Sequence, residues 1–101
     1  MSMLDDHSGV AGILSVQLLI SSAQSLKDKR MVLRSIKDRI KSKYNVSVAE
    51  LDGQDKWQTA VLGCAVIGND QKHLNSCLQD ILNFIETCRD VEIVDQRMEF
   101  L

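Results

Sequence analysis

Ser25–Lys43, SLKDKRMVLRSIKDRIKSK, is the stretch on which the fold turns, because it reads as one amphipathic helix set between two runs of alternating residues. Ser25 followed three residues later by Asp28 has the spacing of a capping box, which satisfies backbone N–H groups left open at a helix start. At 100° per residue Leu26, Val32, Leu33, Ile36 and Ile40 fall on one side, an apolar stripe that faces a core. Lys27, Arg30, Arg34, Lys37 and Lys41 follow one another at spacings of three and four and make a second stripe beside the first. Met31, Ser35, Asp38 and Ser42 are left on the outer face.

On the N-terminal side, Val10 to Ile20 carries Val10, Gly12, Leu14, Val16, Leu18 and Ile20 on one parity, with Ser15 and Gln17 on the other. That alternation predicts a strand with one face buried. On the C-terminal side, Tyr44 to Asp52 alternates again, with Tyr44, Val46 and Val48 set against Asn45 and Ser47. Gly53-Gln54-Asp55-Lys56 is a short turn into Trp57 and a further run from Gln58 to Gly68, so these two strands form an antiparallel hairpin. Asn69 or Asp70 caps a second helix whose apolar stripe is Leu74, Cys77, Leu78, Ile81, Leu82 and Ile85, and Val91 to Leu101 closes as a last strand. The order strand, helix, strand, strand, helix, strand, with a right-handed crossover in each half, predicts an α+β fold. It is the ferredoxin-like βαββαβ sandwich, a four-stranded antiparallel sheet with two helices on one face.

The charge of the chain is unevenly placed. Ser25–Lys43 holds eight of the twelve Lys and Arg residues and two of the fourteen acids. The stretch therefore carries a net charge of +6, and the rest of the chain −8, within a total of −2. Such a concentration is an electrostatic footprint of the kind that meets nucleic acid. The structural alternative is a solvated helix flank, with the Lys and Arg stems lying on the apolar rim. Five aligned cations with no interleaved acid repel one another, which weakens that alternative.

With 101 residues, no proline and no low-complexity tract, the sequence predicts a flexible segment over 1–9 and one domain over 10–101. Asp5 and Asp6 stand where a signal peptide needs positive charge, and no apolar run has transmembrane length, so a cytoplasmic protein without membrane contact is expected. Cys64, Cys77 and Cys88 are odd in number and lack the close spacing of a zinc or redox motif, and are expected as buried free thiols. His7 and His73 are far apart with no partner pattern, and no metal site is expected from them.

Two further constellations stand out. Glu50, Asp52 and Asp55 surround the hairpin turn, close enough to hold a divalent cation or to pair for acid–base chemistry. In the structural alternative, Asp52 and Asp55 bond turn N–H groups while Glu50 pairs with a cation of the first helix. Trp57, the single tryptophan, either seals the core edge or offers a stacking or partner surface. The face of the sheet away from the helices is left uncovered. An RNA-recognition motif would place stacking aromatics there, but QTAVLGCAVIG (58–68) has none. Ala11, Ala49 and Ala65 make that face flat, suited to pairing with a second subunit.

SLKDKR (25–30), NVSVAELDGQD with the following Trp57 and Gln58, and the strand running into GND (68–70) are together distinctive. With them the chain resembles, from about Val10 to Leu101, the YlxP-like family of small bacterial proteins, carried as a domain of unknown function. The resemblance implies a ferredoxin-like fold. The family's genes often sit among those for translation initiation and ribosome maturation, which implies, by association, a role near the small ribosomal subunit.

The expectation is thus a small non-enzymatic RNA-binding, ribosome-associated protein acting in small-subunit maturation or translation. Lys27, Lys29, Arg30, Arg34, Lys37 and Lys41 would meet phosphates, with Trp57 and its loop as a second contact. The alternative is a protein-interaction module that dimerises through the open sheet face. The third reading is an enzyme or ligand binder built on Glu50, Asp52 and Asp55. No cofactor, catalytic residue, metal or small-molecule substrate is expected.

Overall fold

Four strands and two helices follow one another as β1 (Val10–Leu19), α1 (Leu26–Lys43), β2 (Ser47–Asp52), β3 (Thr59–Gly68), α2 (Gln71–Glu86) and β4 (Glu92–Phe100) in a computed structural model, which describes residues 2–6 and 8–101. The sheet order is β2-β3-β1-β4 with every pair antiparallel, the ferredoxin-like arrangement that the sequence predicts. Within the segment expected to be flexible, Met3–Asp6 forms a single 3₁₀ turn. His7, read in the sequence as lacking a metal partner, lies outside the described residues.

Local chemistry sets the element boundaries. Ser25 Oγ accepts from Asp28 N at 3.0 Å, as the capping spacing requires. Asp28 Oδ2 reaches back past the cap to Gln24 N, also at 3.0 Å, so both side chains hold the chain entering α1. At the other end Tyr44 N–H donates to Ile40 O, and Tyr44 is therefore the last residue tied to the helix. That is why β2 begins at Ser47 and not at Tyr44. Asp70, the second of the two candidate caps, starts α2 by accepting from Lys72 N at 3.0 Å.

Both helices cover one face. Leu14, Val16 and Leu18 from β1, Ile20 just beyond it, and Leu62, Cys64 and Val66 from β3, meet Leu33, Ile36 and Ile40 of α1. They also meet Leu74, Leu78, Ile81, Leu82 and Ile85 of α2. The alternation in β1 and β3 sends the other parity outwards. Ala11, Ile13 and Ser15 thus lie beside Ile67, Ala65 and Gly63 on the open side of the sheet. Opposite Gln17 and Leu18 a bulge in β4 leaves Val94 without a partner and exposed.

Candidate nucleic-acid interface

Lys27, Arg30, Arg34 and Lys41 are exposed on α1 and Lys37 is partly exposed. None of the five takes part in an ion pair among the described residues. At 1.5 Å per residue, the row from Lys27 to Lys41 is about 21 Å long. Which side of the helix it occupies is set by Arg39, whose guanidinium lies 4.7 Å from the centre of the Phe84 ring in α2. Five residues at 100° put Arg39 about 140° round the helix from Arg34. The row therefore runs along the flank of α1 turned away from α2, above the β2 edge of the sheet.

Lys29 corrects the sequence reading. It was expected among the phosphate contacts, but its side chain is 1% exposed and belongs to the interior. Its Nζ donates to Gly53 O and to Lys56 O, the second at 2.6 Å, and lies 2.9 Å from Glu50 Oε2. Glu50 Oε2 is buried without an aligned hydrogen bond, and at 2.9 Å the ammonium holds it by charge. The signal was present in the phase of the helix. Lys29 stands three residues after Leu26 and four before Leu33, in line with the apolar stripe.

The β2–β3 turn is tied at several points. Gly53 adopts φ +84°, in the left-handed region, and its N–H donates to Asp52 Oδ1 at 2.7 Å. Lys56 N donates to Gly53 O at 3.0 Å. Beyond Trp57, Gln58 Nε2 donates to Ser21 O and Ala23 O at 3.3 and 3.1 Å, and Gln58 O accepts from Ile20 N at 2.8 Å. The turn thus joins the loop that leads into α1. Of the three carboxylates, Glu50 is committed to a cation of the first helix and Asp52 to a turn N–H, as in the structural alternative, while Asp55 is exposed. No group of three or more His, Cys, Asp or Glu suited to a metal ion occurs among the described residues.

Trp57 does not seal the core edge. Its side chain is 52% exposed and it is absent from the residues packed against the core. Tyr44, Phe84 and Phe100 do pack there. Among the described residues Trp57 is thus the one aromatic that is mostly exposed, on a loop that Lys29 fastens to the start of α1.

All three cysteines are free; Cys64 and Cys88 are buried as expected, whereas Cys77 is only half-buried. Burial pushes Cys64 up to about 11, with Cys77 nearby adding to the effect. Burial raises Cys77, assisted by Asp80, and raises Cys88, where Arg39 works in the opposite direction and Asp90 adds to the rise. Cys77 lines a shallow groove of about 410 Å³ between the end of α1 and the start of α2, with Tyr44, Asp70, His73 and Asp80. Asp70 is already engaged there as the helix cap. Among the described residues no helix is long and apolar enough to cross a membrane.

The family model described as "Protein of unknown function (DUF503)" matches residues 11–98. "Uncharacterized protein YlxP" of Bacillus subtilis (strain 168) is 35% identical over 89 residues, which is 88% of this chain and 97% of that protein. Among solved structures, the de novo designed protein Foldit4 is similar with a TM-score of 0.52 at 14% identity, over 91% of this chain and 97% of the other, a likeness of fold alone.

Proposed function

The chain belongs to the DUF503 family, and from that premise we propose that it is a small non-enzymatic RNA-binding protein that holds phosphates on the outer flank of α1. One observation carries the proposal: Lys27, Arg30, Arg34, Lys37 and Lys41 share one flank, unpaired among the described residues, in a chain whose total charge is −2. A solvated flank has no need to collect cations against their own repulsion, whereas a polyanion gains from each. Phosphate contacts position a protein without reading sequence, so the partner is an RNA held by its backbone. The gene neighbourhood implied by the family resemblance favours the small ribosomal subunit as that RNA's carrier, and the cytoplasm as the place of action.

Co-sedimentation with ribosomal subunits at low and high salt tests it, with the Arg34→Glu, Lys37→Glu double variant alongside. Five phosphate contacts give a slope of log affinity against log salt of about −3.5 on single-stranded RNA. The expected result is salt-sensitive association with the small subunit, lost in the double variant. A flat slope, or equal association of the variant, overturns the proposal.

A second reading has its own support on the opposite side of the molecule. Ile67 is 79% exposed on the open sheet face, beside Ala65, Ile13 and Ala11. A second copy of this chain covering that face would bury this patch. Sedimentation equilibrium at high concentration tests the pairing with Ile67→Lys as the control; a wild-type chain that stays monomeric rules it out.

A further inference from the structure

Trp57 is the only tryptophan, and it is displayed rather than packed. The residues on either side of it are fixed. Lys56 O accepts from the buried Lys29 Nζ, and Gln58 bonds to Ile20, Ser21 and Ala23. Ordering a loop costs backbone entropy, and burying an ammonium costs more, so the arrangement is expensive for an indole that adds nothing to the core. Through Lys29 the same arrangement sets the loop against the start of α1, where Lys27 and Arg30 begin the basic row. An exposed indole, on a backbone tied at both neighbouring residues, thus stands near the end of α1 where the line of unpaired cations begins.

From this juxtaposition we infer that Trp57 is a stacking site for an unpaired base of single-stranded RNA whose phosphates run along Lys27, Arg30, Arg34, Lys37 and Lys41. The inference rests on the phosphate-binding role of α1 and adds to it the class of RNA. A base offers its face to an indole only when it is unpaired, and in a duplex the faces are occupied by neighbouring pairs. Stacking on an aromatic is tolerant of sequence, because every base has a π-face. The ligand is therefore a single strand with weak base preference, its stacked nucleotide at the Lys27 and Arg30 end. A duplex would be held by phosphates alone.

The sole indole reports directly on this contact. The full chain is titrated at low salt with oligouridylate, with the same strand annealed to oligoadenylate, and with heparin, while binding is followed separately by anisotropy of the labelled polyanion. Oligouridylate is expected to quench Trp57 fluorescence on binding, and the duplex and heparin to bind without doing so. Trp57→Ala lowers oligouridylate affinity about tenfold and leaves duplex affinity unchanged, which also shows that the variant is folded; Trp57→Phe restores most of the loss. Unchanged oligouridylate affinity in Trp57→Ala, or equal quenching by duplex and single strand, overturns the stacking site while leaving the phosphate row standing. Failure of every polyanion to bind at low salt overturns the phosphate reading and the stacking site with it.

Discussion

Lys29 Nζ stands 2.9 Å from Glu50 Oε2 beneath the β2–β3 turn, so a cation that neighbours the solvent-facing row of α1 is built into the interior. The pair and the two loop carbonyls that Lys29 reaches make one polar cluster, in which α1 holds the turn that carries Trp57.

Removing one member of that cluster strands the others. Lys29→Met leaves a mostly buried carboxylate without its counter-charge and Lys56 O without its donor, and is expected to cost about 3 kcal/mol in urea denaturation. Glu50→Leu added to it recovers part of that loss, because the uncompensated charge is gone. A double-mutant cycle with strictly additive costs would show that the two side chains are not coupled.

Two glycines are expected to respond by different amounts to the same methyl group. At Gly53 a Cβ would meet Thr59 O at 3.0 Å on a backbone with φ +84°, so Gly53→Ala costs about 2 kcal/mol. At Gly63 the nearest atom, at 2.6 Å, is Cδ1 of Leu51, a half-exposed side chain free to swing away. Gly63→Ala stays within about 1 kcal/mol of wild type in thermal and urea denaturation, and the larger loss must be at Gly53.

In the RNA binding proposed for α1, position on the helix, not charge alone, decides which cations matter. Arg39→Gln removes a charge stacked on Phe84, and is expected to lower stability by about 0.5 kcal/mol. It leaves the salt slope of RNA binding where it was. Lys37→Gln reduces the steepness of that slope by about 0.7 and barely changes stability. Equal slopes for the two variants would mean that only net charge is being read.

Alkali is expected to destabilise the chain partly through Cys64. Burial favours the neutral thiol, so the folded chain keeps a proton that the unfolded chain releases near the ordinary value of 9.0. The stability this thiol contributes is whole below pH 9 and falls as pH rises towards about 11, by roughly 3 kcal/mol at most. Urea denaturation between pH 8 and 11 is expected to show a shallower fall in Cys64→Ala than in wild type. Parallel curves would remove Cys64 from the account.

The backbone plan was legible because it depends on periodicity. Leu14, Val16 and Leu18 at every second residue, and Leu33, Ile36 and Ile40 at helical spacing, can bury their side chains only as a strand and a helix. Ser25 and Asp70 announce the two helix starts by chemistry that acts over two or three residues. The β2 boundary was missed because Tyr44 satisfies both patterns, and only its N–H bond to Ile40 O assigns it to the helix end.

The site divides along the same line. Lys27, Arg30, Arg34, Lys37 and Lys41 were found from sequence because a helix flank is a matter of angle, and angle follows from residue number. Lys29 carries the same charge within the same turn of helix, and its destination depends on where the β2–β3 turn comes to lie. Trp57 is likewise ambiguous in a sequence, since an indole serves equally as core or as surface. By itself the sequence determined the elements, their order and the row of cations, all consequences of local spacing. Only the tertiary structure decided that Lys29 is enclosed and Trp57 displayed, because burial is set by segments that meet across 21 or more residues of chain.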